Sequence, residues 1–321
     1  MLVFNTNFTL FIYASPCILF LYFFRRWFNG PWFTKKSDLS WKTVIVTGSS
    51  AGIGKEAALD LLENGANVIF ACRDEKKTRA VISAIKNPES RARATFIKLD
   101  LGSVDSIIKF NNEYRRTFNE DLDILINNAG AVQDYFSLTE GIESSIMVNH
   151  IGHKLLTLLL LDKFNSEEAR IINIASVAHT FSNYSVEDLK RLENNLSFDG
   201  EGDNWGIKKA FTQYGNSKLA NIYFTQYLAE KLGSHIKSVA IHPGSVNSEF
   251  NRWLDNFHWI FKPFIWLLVN PVFWFISKST SAGTQTTYVG IYEDFEKLEN
   301  GSYLEDCKKG KLSNTAKDSL V

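Results

Sequence analysis

Tyr214 and Lys218 lie four residues apart in the run Tyr214-Gly215-Asn216-Ser217-Lys218, a spacing that puts both side chains on one face of a helix. A phenol held beside a fixed positive charge favours its ionised form, which lowers its pKa from about 10. Such a phenol can give and take a proton near neutral pH. Many surface helices carry Tyr and Lys at this spacing, so the pair gains weight only from what stands far upstream.

Upstream, Thr47-Gly48-Ser49-Ser50-Ala51-Gly52-Ile53-Gly54 follows the apolar run Val44-Ile45-Val46 and opens an amphipathic stretch from Ile53 to Asn64. The three glycines permit a tight turn and close backbone approach. A helix that starts there offers free N–H groups and partial positive charge to a pyrophosphate. The spacing Gly-x-x-x-Gly-x-Gly differs from the general dinucleotide fingerprint, and a purely structural turn is the bland alternative. The strand–turn–helix context favours a nucleotide. Arg73 stands just past the second strand, where a chain preferring NAD would place an acidic residue. A guanidinium suits a 2′-phosphate through charge-assisted hydrogen bonds, so NADP(H) is the expected cofactor. Asp74, next in the chain, could instead hold Arg73 in a solvated ion pair.

These groups need a scaffold, and the sequence alternates strand and helix from Lys42 onward. Strands are predicted at 44–46, 68–71, 95–99, 122–126, 170–175 and 236–241, with helices at 53–64, 74–86, 104–118, 144–164 and through 214–218 to about 232. Gly65 ends the first helix. Strict alternation implies a parallel sheet with right-handed crossovers and helices on both faces. The stretch 177–212 is irregular and polar, too long for an ordinary loop.

Composition narrows the partners. Lys and Arg number 35, as do Asp and Glu, so no net field attracts nucleic acid, and none is expected as a partner. Cys17, Cys72 and Cys307 lack metal spacing, and a reducing compartment fits them better than a disulfide framework. His150, His153, His179 and His242 fall on separate elements or at packing positions, and no metal is expected. Aromatics reach 14% and gather near the N-terminus and at 253–275. Residues 8–24 are almost wholly apolar, interrupted by Pro16 and ended by Arg25-Arg26. A signal peptide would carry its basic residues first, so a membrane anchor is preferred over a cleaved leader or a buried helix. The trailing Arg25, Arg26, Lys35 and Lys36 place the following domain on the cytosolic side.

Thr47–Gly54, Asn127-Asn128-Ala129-Gly130, Ser176, Tyr214-x-x-x-Lys218 and Pro243-Gly244, in that order, resemble the short-chain dehydrogenase/reductase superfamily over about residues 42–305. Ala71-Cys72-Arg73-Asp74, Asn149-His150-Ile151-Gly152-His153, Asn216-Ser217-Lys218-Leu219-Ala220-Asn221 and His242-Pro243-Gly244 are similar to its retinol dehydrogenase-like membrane branch, as is the long insertion before Tyr214. The resemblance implies an α/β fold with one Rossmann-type, doubly wound parallel sheet. It implies Tyr214 as general acid/base, Lys218 lowering its pKa and binding the nicotinamide ribose, Ser176 bonding the reacting oxygen, and Asn149 holding a relay water. Cofactor contacts would come from Gly48, Ser50, Gly52, Ile53 and Gly54, from Arg73, from Asp100 and Leu101 at the adenine, and from Asn127 and Ala129. Tyr214, Lys218, Pro243, Gly244, Val246 and Ser248 would line the nicotinamide end. Ser248 replaces the family's common threonine and keeps the hydroxyl; Ala175 replaces a serine frequent in the branch.

The expected layout is an anchor at 1–29, a linker at 30–41, a catalytic domain at 42–310 with a substrate lobe at about 245–282, and a polar tail at 311–321. Trp253, Phe257, Trp259, Phe261, Phe264, Trp266, Phe273, Trp274 and Phe275, broken by Lys262, Pro263 and Pro271, suit an apolar lid dipping into the membrane interface better than a second span. The reading is an NADP(H)-dependent oxidoreductase of alcohol and carbonyl groups on a lipophilic retinoid, steroid or other lipid, facing the cytosol, with the endoplasmic reticulum the branch's usual address. A non-catalytic cofactor-binding scaffold and a light-driven pigment reductase are the alternatives. Oligomeric state is left open, a homo-oligomer included.

Overall fold

The computed structural model describes residues 19–132, 137–185, 187–188, 191, 206–246 and 277–318. Three expectations therefore lie wholly or largely outside the described residues: the apolar run before residue 19, Ser248, and the aromatic segment 253–276.

Eight strands form one sheet. β1 (Thr43–Thr47), β2 (Asn67–Cys72), β3 (Ala94–Lys98), β4 (Ile124–Asn127), β5 (Ala169–Ile174), β6 (Ile236–His242), β7 (Tyr303–Glu305) and β8 (Lys308–Lys309) stand in the order β8-β7-β6-β5-β4-β1-β2-β3. All neighbours pair in parallel except β7 and β8. The chain builds outward from β1 to β3, then crosses back to lay β4 on the other side of β1. That reversal opens a crevice at the carboxyl ends of β1 and β4, the place where doubly wound sheets bind ligands.

Both faces are covered. Val44, Val46, Val68, Phe70, Ile124 and Ile126 pack on one side with Ala58, Leu61 and Leu62 of α1 (Gly52–Glu63). On the other side Ile45, Ile69, Ile97 and Leu125 meet Ile107, Phe110 and Tyr114 of α3 (Val104–Thr117), with α2 (Glu75–Ser83) lying before it in the chain. Alternate strand residues point to opposite faces, so burial of both reads as continuous Val/Ile runs.

The next helix, α4, is interrupted. It is α-helical at Ser144–Ile146, widens to a π-turn at Met147–Ile151, and resumes over Gly152–Leu159. Gly152 has no room for a side chain, since a Cβ would lie 2.4 Å from the Leu101 carbonyl oxygen. The helix α5 (Ile207–Lys231) carries Tyr214 and Lys218.

The structure adds elements to the prediction. β7 and β8 extend the sheet, and α6 (Thr280–Tyr292) lies on the α1 side with every residue from Ala282 to Tyr292 buried. The segment 30–41 runs bound along α6. Near the C-terminus, Ala316 of the short helix α7 (Asn314–Asp318) is fully buried, and Gln226 of α5 donates to its carbonyl at 3.3 Å. The Ser313 N–H donates to His179 Nε2 at 3.2 Å. Among the described residues, no helix is long and apolar enough to cross a membrane.

Candidate active site

The first lip of the crevice is made of backbone. Gly48 and Gly52 hold φ of +67° and +56°, a region that only glycine enters without strain. A Cβ on Gly48 would sit 2.9 Å from Ala129 Cα, and one on Gly54 2.3 Å from Asn128 Nδ2. The turn thus packs directly on the Ala129 backbone and on the Asn128 side-chain amide. Thr47 ties them together: its Oγ1 accepts from the N–H groups of Asn128 at 2.9 Å and Ala129 at 3.0 Å. Asn128 Nδ2 donates back to the Thr47 carbonyl at 2.8 Å. The helix α1 then starts at Ala51 with no side-chain cap and no acidic residue in its first turn. Half-buried Ser50 and Ile53 flank that start. This is a cradle fit for a phosphate.

Arg73 follows β2 and is exposed. Asp74 is committed elsewhere, its Oδ1 accepting from the Lys77 N–H at 2.9 Å as the cap of α2. Among the described residues no ion pair joins the two. Asp100 is half-buried after β3, with Oδ1 accepting from the Gly102 N–H at 3.0 Å, and Leu101 beside it is buried. Asn127 turns inward: Nδ2 donates to Asn173 Oδ1 at 2.8 Å and to Thr157 Oγ1 at 3.0 Å. Its side-chain amide belongs to the core.

Side chains build the second lip. Lys218, 2% exposed, donates from Nζ to the Ile174 carbonyl at 2.8 Å and lies 5.4 Å from the centre of the Tyr214 ring. Tyr214 is buried, and its hydroxyl is hydrogen-bonded to Ser176. Ser176 follows β5, and its Oγ accepts from the Ala178 N–H at 3.1 Å. Ser176, Tyr214 and Lys218 therefore meet in one place. Asn149, in the π-turn, joins them through the loop after β4: Oδ1 accepts from the Ala131 N–H at 2.8 Å, while Nδ2 donates to the Ala131 carbonyl at 2.9 Å and to Ser217 Oγ at 3.1 Å. A Cβ on Gly130 would lie 3.3 Å from Asn149 Oδ1 and 3.5 Å from Lys218 Nζ. On the far side, Gly244 takes φ +86°, and Val246 forms a bridge to Lys278.

Burial alters one expectation about charge. It pushes the Tyr214 phenol upward, against the smaller opposing pull of the Ser176 hydrogen bond, and it lowers Lys218 to about 7. The predicted downward shift of Tyr214 by Lys218 is thus outweighed, because loss of water disfavours the charged form of both groups.

Three positions carry more of the site than sequence reasoning gave them. His153 Nδ1 lies 3.1 Å from the Asn149 carbonyl and Nε2 lies 2.8 Å from Thr47 Oγ1. The carbonyl can only accept, so Nδ1 carries the proton and Nε2 accepts from Thr47; burial holds His153 neutral, at about 3. Gly215 admits the turn that carries Ser176, since a Cβ there would be 2.5 Å from the Ala178 carbonyl oxygen. Asn216 clamps that same segment, accepting from Ser182 Oγ at 2.7 Å and the Asn183 N–H at 3.0 Å. The sequence hints at them only through their adjacency to motif residues.

Anion-receptive backbone on one lip and a proton-transferring pair on the other define the class: a dinucleotide-dependent oxidoreductase on a Rossmann-type sheet. The short chain dehydrogenase family profile matches residues 42–187. Retinol dehydrogenase 12 of Mus musculus is 36% identical over 322 residues, covering 99% of this chain and 92% of that protein. Retinol dehydrogenase 13 of Homo sapiens is 36% identical over 292 residues, covering 89% and 82%. A Shigella flexneri structure complexed with NADP shares the fold, with a TM-score of 0.60 at 22% identity over 85% of this chain and 100% of that one. With relatives so similar along nearly its whole length, the chain belongs to the short-chain dehydrogenase family, in its retinol dehydrogenase-like branch.

Proposed function

We propose that this protein is an NADP(H)-dependent oxidoreductase that interconverts alcohol and carbonyl groups on a lipophilic small molecule of the retinoid, steroid or lipid class. The observation that carries the reading is the convergence of Ser176, Tyr214 and Lys218 beside the glycine turn. Gly48, Ser50, Gly52, Ile53 and Gly54 would receive the pyrophosphate, with Asp100, Leu101, Asn127 and Ala129 along the adenine side and Pro243, Gly244, Val246 and Ser248 near the nicotinamide. Arg73, exposed and free of Asp74, supports a 2′-phosphate and so NADP(H) over NAD(H).

Bound NADPH supplies the hydride. The protein's part is the proton and the oxygen. Burial keeps Tyr214 a neutral phenol, loaded to donate as a carbonyl oxygen gains negative charge. Ser176 stands within reach of the same oxygen and adds a second donor. Once the phenol has given up its proton, the Lys218 ammonium opposes the phenolate charge across the ring. Asn149 fixes the loop after β4 against α5, which keeps the two lips in register. All four residues are present, so a non-catalytic scaffold is the weaker reading.

The exposed aromatic N-terminal helix and the basic residues that follow it support a place on a membrane, with the endoplasmic reticulum and a cytosol-facing domain as the proposed address. The decisive experiment is Tyr214→Phe. Turnover of retinal, steroid ketones or fatty aldehydes should fall by about 10²–10⁴-fold with NADPH affinity intact. Unchanged turnover would remove Tyr214 from the mechanism.

A further inference from the structure

The N-terminal helix, residues 19–29, does not leave the domain on a free tether. Arg25 Nη1 donates to the Ser277 carbonyl, and the Ser279 N–H donates to Asn29 Oδ1 at 3.3 Å. Gly30 turns with φ +73° against Lys278, whose Nζ would lie 2.9 Å from a Cβ placed there. The Phe33 N–H then donates to Gln285 Oε1 of α6 at 2.9 Å. Lys35 pairs with Glu293 at 3.1 Å. Lys36 bonds Asp60 of α1 and lies 3.6 Å from the centre of the Tyr288 ring. The head of this line touches residues 277–279, which the Val246–Lys278 bridge joins to 244–246. Those two segments are the described ends of the substrate lobe.

The same helix shows water an unusual surface. Phe20, Tyr22, Phe23 and Trp27, with Trp32 just beyond, are each more than half exposed, at 65, 58, 62, 73 and 53%. Exposed apolar side chains grouped in this way mark an interaction surface. Arg25 and Arg26 stand among them, and no acidic residue precedes Asp38. Aromatic and basic side chains without acids suit the headgroup level of a bilayer. The apolar run continues into residues 8–18, so the chain ahead of the helix has the same solvent preference.

We propose that residues 19–36 are a lipid-seated strap: the aromatic helix rests in the headgroup layer, and the contacts from Arg25 to Lys36 hold the substrate mouth, residues 244–246 and 277–279, against that layer. The inference rests on the membrane reading above and adds a fixed orientation to it. A bilayer-dissolved substrate then meets the crevice without a passage through water.

Hydrogen exchange on the full-length protein with phosphatidylcholine–phosphatidylserine vesicles tests this without relying on catalysis. Vesicles should protect residues 19–29 together with 244–246 and 277–285. A strap variant, Asn29→Ala with Lys35→Ala and Lys36→Ala, should keep the protection of 19–29 and lose that of the mouth. Its KM for hexadecanal carried in vesicles should rise by about fivefold or more as the effective concentration at the mouth falls, with turnover of a short water-soluble aldehyde unchanged. Gln285→Ala, which removes the bond to Phe33 and one within α6, serves if the triple variant does not fold. Mouth protection that is absent in the wild type, or identical in wild type and variant, overturns the strap. Absence of protection at 19–29 overturns the membrane reading with it. Failure of every carbonyl to turn over would count against the proposed function while the exchange result still decides the strap.

Discussion

At the carboxyl end of β1 the chain leaves a helix start without a side-chain cap, whereas beside β5 and α5 the site side chains are bonded to other protein groups. The helix α1 begins at Ala51 without a cap. In contrast, α2 starts under Asp74, α3 under Ser103 and α6 under Ser279, each side chain accepting an N–H of its own helix. An uncapped start is costly unless another acceptor arrives. On the catalytic lip, Lys218, Asn149, Ser176 and Asn216 already have protein partners. One lip is made to receive a ligand's charge; the other is held rigid so that proton donors stay aimed. Changes in the first should therefore act on cofactor affinity, and changes in the second on turnover.

The largest effect on cofactor affinity is expected at Gly54→Ala. Its new methyl would meet Asn128 Nδ2 at 2.3 Å and the Gly48 carbonyl at 2.8 Å, so turn and β4 must separate. NADPH affinity should fall by about 100-fold, equal to about 2.7 kcal/mol, read by fluorescence titration. Retained affinity would mean that the turn is only structural. Arg73→Ala comes next. Losing a charge-assisted contact of about 1.5–3 kcal/mol should weaken NADPH by roughly tenfold or more and leave NADH unchanged; equal losses for both would remove the 2′-phosphate assignment. Gly215→Ala should do the opposite of Gly54→Ala, lowering kcat by about tenfold at constant NADPH affinity, because its Cβ pushes away the turn that carries Ser176.

The smallest expected effect is on stability. Lys218 sits at about 7 in the folded protein against 10.5 for an ordinary lysine. Between those values the unfolded chain binds more protons, so stability rises with pH across that window. Lys218→Met should flatten the rise of Tm between about pH 7 and 9. Tyr214 is shifted upward, so its contribution declines only above its usual value of 10.0. A Tm profile identical in both proteins would mean that Lys218 is solvated.

Much of this division was legible in the sequence because the elements that make it repeat simple patterns. Val44-Ile45-Val46 and Val68-Ile69-Phe70 are buried on both faces and read as parallel strands; the glycines between β1 and α1 have no other use for their freedom. The helix α6 was not legible. It is buried on all sides, so its Thr, Ala and Gly residues form no apolar stripe. β7 is three residues long and carries too little pattern to stand out. That the Asn127 amide bonds Asn173 and Thr157 in the core was not legible, a matter of which face of the strand end it occupies. The protonation of Tyr214 and Lys218 was misjudged because sequence spacing names a neighbour and says nothing about water. His153 lay in plain view, yet its bridge from Thr47 to the Asn149 carbonyl depends on two elements more than a hundred residues apart in the chain.

The bond from Ser313 to His179 has a consequence for synthesis. His179 Nδ1 faces the Ser176 carbonyl at 2.7 Å while its other nitrogen takes the N–H of residue 313. The turn that carries Ser176 thus gains this support only once residue 313 has been made, long after the nucleotide turn. A chain truncated before residue 313 would keep the glycine turn and lose one support of the catalytic serine.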